Sequence, residues 1–145
     1  GVVDGSGGVL LASPEYARAR GWKPRARIVA MANAAGSPEL MLNEPVPAAR
    51  KVLQKAGMTL SDIDLFEVNE AFAVVAYKFM RDLELDPAKV NVNGGAIALG
   101  HPIAGTGSIL IGTVLDELER RNLATGLVTM CAAGGMAPAI IIERV

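Results

Sequence analysis

From residue 27 onward, short apolar runs alternate with segments of helical pattern, and this alternation limits the available folds more than any other feature. "RIVAMANA" at 27–34 reads as a buried strand. Pro45 and Pro47 open a helix that runs through "AARKVLQKAG" and stops at Gly57. "IDLFEV" at 63–68 is a strand running into Asn69, and "EAFAVVAYKFMRDL" at 70–83 is a helix apolar on most faces, hence expected to be buried. "KVNVN" at 89–93 gives a further strand. From Pro102 to about Arg121 a helix gathers Leu110, Ile111, Val114, Leu115 and Leu118 on one face. "GLVTMC" at 126–131 and "AIIIERV" at 139–145 close the chain as strands joined by "AAGGMAP". The order β-α-β-α-β-α-β-β predicts an α/β fold. Its sheet is mixed and mostly parallel, covered by helices on both faces, with the last two strands antiparallel.

Ahead of this unit, "VLLA" at 9–12 is a short strand candidate. Ser13-Pro14-Glu15 has the look of a capped helix start, with Gly21 closing that helix. The chain opens "GVVDGSGGVLLAS" with neither methionine nor a basic start followed by an apolar run, so it reads as a piece of a longer protein.

At 145 residues the chain is one domain in size, enough to bury roughly two thirds of its unfolded surface. Hydrophobic residues at 51% and charged residues at 20% describe a globular protein, not a disordered one. Lys and Arg number 14 against 15 Asp and Glu, a net charge of −1, and no basic stripe interleaves with aromatics. Nucleic acid is therefore not an expected partner. No apolar run approaches the roughly 20 residues of a membrane span, so a membrane is not expected either. With no targeting segment in view, a cytoplasmic location is the expectation. A single cysteine excludes an internal disulfide, and one cysteine with one histidine makes too small a set for a metal cluster.

Open α/β sheets bind ligands at the carboxyl ends of their strands, beside helix N-termini. Three chemically useful residues fall at such ends: Asn69 after 63–68, His101 in the loop after 89–93, and Cys131 at the end of 126–131. Each has a plainer reading. Asn69 serves equally as a helix cap with Glu70 as a first-turn acid, and a lone cysteine is often a small core residue. The plain reading of His101 is that it caps or packs; against this, it stands before Pro102 and a long helix, where a positive helix end favours neutral imidazole able to accept a proton. "AAGG" after Cys131 leaves backbone N–H groups accessible, as an oxyanion hole requires. "GTG" at 105–107 lacks the third glycine of a dinucleotide-binding turn, and "GVVDGSGG" at 1–8 reads as a flexible turn.

"VNEAFA" at 68–73, "NGGAIALGHPIAGTG" at 93–107 and "CAAGGMAPA" at 131–139, in that order, resemble the signature blocks of the C-terminal half of thiolases, the acyl-CoA C-acyltransferases. The resemblance implies a thiolase-like half over 24–145, with 1–23 as the tail end of an N-terminal thiolase domain. It implies a reaction that cleaves a 3-ketoacyl-CoA with CoA, or condenses two acyl-CoAs, through a cysteine acyl-enzyme. CoA enters as substrate and no cofactor is bound. Carried onto this sequence, His101 activates the nucleophilic cysteine and holds the thioester oxygen. Asn69 fixes a water in the same oxyanion hole, and Cys131 is the acid/base at the α-carbon. The Ala133 N–H belongs to a second oxyanion hole, and Ala71 and Phe72 lie along the pantetheine channel. Fatty-acid or lipid metabolism and a homodimer or homotetramer go with the same family.

The sequence departs from the family in two places. Ala133 stands where the family has the first of three glycines after Cys-x, and Ile-Ala-Gly-Thr-Gly follows His101-Pro102 in place of the commoner glycine-then-alanine turn. The one cysteine matches the acid/base and not the nucleophile, so residues 1–145 alone are expected to be inactive, their partner being the missing N-terminal half. Two further readings compete. A non-catalytic thiolase-like protein binding acyl-CoA or lipid would need none of Asn69, His101 and Cys131. A self-contained Cys131/His101 hydrolase would want its cysteine at a helix start, where the dipole lowers a thiol pKa, and here a strand follows.

Overall fold

The computed structural model describes all of residues 1–145. The first helix, α1 (Pro14–Ala19), begins as the sequence predicts, with the Tyr16 N–H donating to the Ser13 hydroxyl at 3.2 Å. "VLLA" at 9–12 forms no strand: it meets no partner strand, and Leu10 and Leu11 stand exposed. The remaining elements are β1 (Ala26–Ala35), α2 (Pro45–Ala56), β2 (Leu65–Val68), α3 (Ala73–Asp82), α4 (Ala96–Leu99), α5 (Thr106–Arg121), β3 (Thr125–Thr129) and β4 (Met136–Arg144).

These elements build one mixed four-stranded sheet in the order β1-β4-β3-β2. β2 pairs with β3 in parallel, while β4 pairs antiparallel with β3 on one side and with β1 on the other. Hence β1, β2 and β3 all point the same way and β4 alone is reversed. The expectation of a mostly parallel sheet holds for strand direction but not for pairing. β4 inserts between β1 and β3, so only one of the three ladders is parallel.

"KVNVN" at 89–93 is not a full strand, which corrects the sequence reading. Val90 bridges Phe66 in parallel and the Asn91 N–H reaches the Phe66 carbonyl at 2.9 Å, but Asn91 then turns left-handed at φ 47°. Its side-chain amide takes over the pairing, accepting from the Val68 N–H and donating to the Val68 carbonyl, both at 2.9 Å. An asparagine side chain thus satisfies the backbone groups that a fifth strand would have met.

The sheet carries a core on each face. Under α2 and α3 lie Val52, Leu53, Phe66, Val68, Val75, Phe79, Leu127 and Ile141; under α5 lie Leu65, Leu110, Val114, Leu118, Val128 and Ile142. Burial of each such side chain contributes about 1.5–3 kcal/mol. α2 presents Val46, Ala49, Val52 and Leu53 inward and ends at Gly57, whose φ of 66° lets the Met58 N–H return to the Leu53 carbonyl at 3.0 Å. α5 approaches β3 so closely that a Cβ at Gly126 would lie 2.7 Å from Val114 Cγ2. A larger residue at 126 would push the helix off the sheet.

Coverage is incomplete at β1. The segment at 27–34 reads as a buried strand, yet only Ala30 in β1 is buried, and Ile28 and Met31 are exposed. β1 is an edge strand, and α5 lies over β2 and β3 instead. The helix expected at 70–83 begins three residues late, at Ala73, and buries only Val75, Ala76 and Phe79. Residues 1–8 run alongside the 100–109 segment, where the His101 N–H donates to the Gly1 carbonyl at 2.8 Å and Val2 bridges His101.

Candidate active site

Because β1, β2 and β3 point the same way, the segments that follow them emerge at one edge of the sheet. Asn69 continues β2 by one residue, its N–H donating to the Thr129 carbonyl at the end of β3 at 3.0 Å. Its side chain is 1% exposed, and its Nδ2 lies 3.3 Å from His101 Nε2. The asparagine is therefore no helix cap, for Phe72 holds the N-cap position of α3.

Glu70 also departs from the sequence reading. It is not a first-turn acid but a clamp between two loops, one carboxylate oxygen accepting from Asn91 Nδ2 at 3.0 Å and the other from the Ile97 N–H at 3.2 Å. This clamp draws 68–72 away from helical geometry, which is why α3 starts late. It also ties the segment bearing Asn69 to the one that leads into His101.

His101 does not open the helix after it. α5 begins at Thr106, five residues on, with the Gly105 and Thr106 N–H groups both donating to the Pro102 carbonyl. The imidazole is controlled by a side chain that sequence reasoning missed. Thr106, 3% exposed, places its hydroxyl 2.7 Å from His101 Nδ1 and 2.9 Å from the Pro102 carbonyl oxygen. A hydroxyl has one hydrogen, and the carbonyl can only accept, so Thr106 donates to Pro102 and accepts from His101 Nδ1–H. In neutral imidazole that leaves Nε2 as an acceptor, and Asn69 meets it with the donor end of its amide. The half-buried histidine is thereby held with its basic lone pair at Nε2, toward Asn69. The only trace of Thr106 in the sequence was a residue five positions after the lone histidine, inside the loop that departs from the family pattern.

Cys131 lies two residues beyond β3, buried against the core under α2 and α3, and hydrogen-bonds to neither Asn69 nor His101. Burial pushes its thiol above the ordinary 9.0, so it rests protonated at neutral pH. The turn that follows is closed by reciprocal bonds between Ala132 and Met136. Gly134 and Gly135 take φ of 81° and 76°, whereas Ala133 is not in the left-handed region. Alanine therefore fits at 133 without strain, and its N–H takes no acceptor within the chain. Gly135 is fixed twice over: its carbonyl accepts from the Gly36 N–H at 2.8 Å, and a Cβ there would lie 2.6 Å from the Ser37 carbonyl oxygen. Phe72 is 58% exposed, an aromatic face open to a ligand, while Ala71 is half-buried against the core.

Between β2, the 93–102 segment and α5 lies a cavity of about 300 Å³ that Glu67, Asn69, Asn93 and Thr106 help to line. Glu67 was not singled out in the sequence. It is 3% exposed, and desolvation, then the charges of Glu70 and Glu117, push its carboxyl up to about 8. Glu117 goes the other way, to about 2, held first by Arg120 and further by Asn93 and Arg121.

Comparison with known proteins agrees with this architecture. Residues 22–144 match the family model described as "Thiolase, C-terminal domain". The acetyl-CoA acetyltransferase of Rhizobium meliloti (strain 1021) is 48% identical over 144 residues, covering 99% of this chain and 37% of that protein. A steroid 3-ketoacyl-CoA thiolase of Mycobacterium tuberculosis is 50% identical over 143 residues, covering 99% of this chain and 35% of its own length. The crystal structure of human mitochondrial 3-ketoacyl-CoA thiolase superposes with a TM-score of 0.90 at 43% identity, over 92% of this chain and 34% of that one. The chain thus spans little more than a third of the length of these relatives. It belongs to the thiolase family, and residues 22–144 are its C-terminal thiolase domain.

Proposed function

We propose that this chain supplies the histidine, asparagine and acid/base cysteine of an acyl-CoA C-acyltransferase, acting with a nucleophilic cysteine from an N-terminal thiolase half. The observation that carries the reading is the Thr106 hydroxyl set between His101 Nδ1 and the Pro102 carbonyl. Thr106 holds the proton on Nδ1, and a bare Nε2 is what a base needs to take a proton from a thiol. In acylation the thiol proton passes to Nε2 as the sulfur attacks the thioester carbonyl. The new Nε2–H then faces the developing oxyanion, beside a water fixed by Asn69, and CoA leaves with that proton.

In cleavage of a 3-ketoacyl-CoA the nucleophilic cysteine sulfur adds to the 3-keto carbonyl, the bond to the α-carbon breaks, and the leaving enolate takes its proton from the Cys131 thiol. Condensation is the same path reversed: the Cys131 thiolate removes the α-proton of an acyl-CoA, and the carbanion attacks the acyl-enzyme carbonyl and expels the cysteine sulfur. The free N–H of Ala133 supports donation to the enolate oxygen, whose stabilisation is the main energetic demand of the step. The exposed ring of Phe72 suits the wall of a pantetheine channel, with Ala71 behind it.

Residues 1–23 are read as the end of the N-terminal half. In support, the family match starts at Gly21's neighbour Trp22, and of residues 1–23 only Ala17 is buried. Ile97, Leu99 and Ile103 are 60–71% exposed around His101, as expected of a surface that the other half covers. A homodimer or homotetramer, a role in fatty-acid or lipid metabolism and a cytoplasmic location complete this reading. No helix is long and apolar enough to cross a membrane.

The test is to incubate the intact protein with acetoacetyl-CoA and CoA, and to mix residues 1–145 alone with the same substrates. Thiolysis by the intact protein, lost in His101→Ala and Cys131→Ala, is the expected result. Thiolysis by residues 1–145 well above a Cys131→Ala control would contradict it.

A further inference from the structure

Glu67 is a deeply buried titratable side chain beside the site to which acyl transfer assigns no task, and unlike Glu117 it has no ion-pair partner. It lies in β2 and faces α5, and no hydrogen bond contributes to the state of its carboxyl. Two residues on, the extended backbone puts Asn69 on the same face of the sheet, and both side chains line the cavity of about 300 Å³. Asn69 Oδ1 is the one buried side-chain polar atom of the chain left without a partner. Such an atom costs about 1–3 kcal/mol unless something donates to it.

We propose that Glu67 is a positioning residue: its carboxyl group donates to Asn69 Oδ1 through one water in the shared cavity, and so decides which end of the amide faces His101. The result is a hydrogen-bond chain with a single direction. Glu67 O–H donates through the water to Asn69 Oδ1, Asn69 Nδ2–H to His101 Nε2, His101 Nδ1–H to Thr106 Oγ1, and Thr106 O–H to the Pro102 carbonyl. Pro102 fixes the direction at one end because a carbonyl only accepts, and Glu67 fixes it at the other because a protonated acid donates.

The direction has a chemical consequence. Were the amide turned over, its carbonyl would bind Nε2–H, removing the lone pair before proton transfer and holding the proton away from substrate afterwards. Desolvation first, and then the charges of Glu70 from the loop after β2 and of Glu117 from α5, favour the neutral form of Glu67. Glu117 is paired with Arg120 and Arg121, and Asp116, which also lines the cavity, with Arg25. The links from Asn69 to Pro102 stand on the geometry, the Glu67 link is the proposal, and the use of the chain in acyl transfer rests on the function proposed above.

The experiment reads the hydrogen-bond chain without substrate, so its failure and the failure of acyl transfer are told apart. Ring-nitrogen NMR of the ¹⁵N-histidine-labelled 145-residue chain gives one pair of signals, since there is one histidine. At pH 7 the wild type should show a protonated Nδ1 and a bare Nε2. As pH rises through the ionisation of Glu67, near 8, the Nε2 signal should move toward its protonated position, because a carboxylate attracts Asn69 Nδ2 and turns the amide. Glu67→Gln, which still donates and cannot ionise, should keep the Nδ1–H form throughout. Glu67→Leu, with Thr106 still holding Nδ1–H from the other side, should show a mixture of the two forms already at pH 7. An Nε2–H tautomer in the wild type at pH 7, or the same alkaline change in Glu67→Gln, would overturn the proposal. The wild-type titration and the isosteric Gln variant carry the test even if Glu67→Leu fails to fold.

Discussion

Asn69 Nδ2 lies 3.3 Å from His101 Nε2, although 32 residues separate the two along the chain. The contact makes the amide the partner of the imidazole lone pair. Asn69→Asp keeps the shape but presents an acceptor to Nε2, which then needs a proton of its own and ceases to be a base. Acyl-enzyme formation by the intact protein, followed by mass spectrometry after rapid mixing with acetoacetyl-CoA, should slow by about 10²–10³-fold, as when an oxyanion-hole group is lost. A rate within a factor of two of wild type would remove Asn69 from the mechanism.

Thr106 bonds the other ring nitrogen and tests the same arrangement from behind. Thr106→Val is nearly isosteric but leaves His101 Nδ1–H and the Pro102 carbonyl without their shared hydroxyl. Thermal unfolding should show a loss of about 1–3 kcal/mol, the cost of an unpaired buried polar group. Thr106→Ser restores the hydroxyl and should recover most of both stability and activity. Equal behaviour of Val and Ser would mean that the hydroxyl orders nothing.

The turn after Cys131 has one intolerant glycine and one tolerant alanine. Gly135→Ala places a methyl against the Ser37 carbonyl at a φ of 76°, so a loss of about 2 kcal/mol or more is expected in denaturant unfolding, together with displacement of the Ala133 N–H. Ala133→Gly, which restores the family's usual residue, should change stability by less than about 1 kcal/mol. If both changes were equally mild, the anchoring of the turn on Gly36 and Ser37 would be unimportant.

Glu67 should also leave a mark on stability against pH. Its carboxyl is raised from the ordinary 4.5 to about 8, so between those values the folded protein keeps a proton that the unfolded chain has released. Unfolding then releases a proton, and stability falls as pH rises. The contribution is whole below about pH 4.5 and gone above about pH 8, on the order of 5 kcal/mol across the window at ~1.4 kcal/mol per pKa unit. Glu67→Gln should flatten this slope in urea titrations at pH 5, 6.5 and 8. The carboxyls held low by partners, Glu117, Asp82 and Asp64 among them, are ionised throughout that window and act only at lower pH.

What the sequence determined by itself is what depends on neighbours along the chain. Apolar runs and helix punctuation placed α2, α5, β2, β3 and β4, and Ser13, Gly21 and Gly57 set helix ends through local φ and capping geometry. The motifs carried the family and put Asn69 and Cys131 just beyond β2 and β3, whereas His101 follows a segment that is not a strand. Tertiary structure alone decided the rest, because it turns on groups far apart in sequence. β4 slips between β1 and β3, leaving β1 an exposed edge. Asn91 bends away from strand geometry because its side chain can satisfy Val68. Glu70 leaves its helix for Asn91 and Ile97. Glu67 reads in the sequence as one more strand residue. It becomes a neutral acid only because α5 covers it and brings a second carboxylate close, and desolvation and through-space charge are properties of the packed molecule.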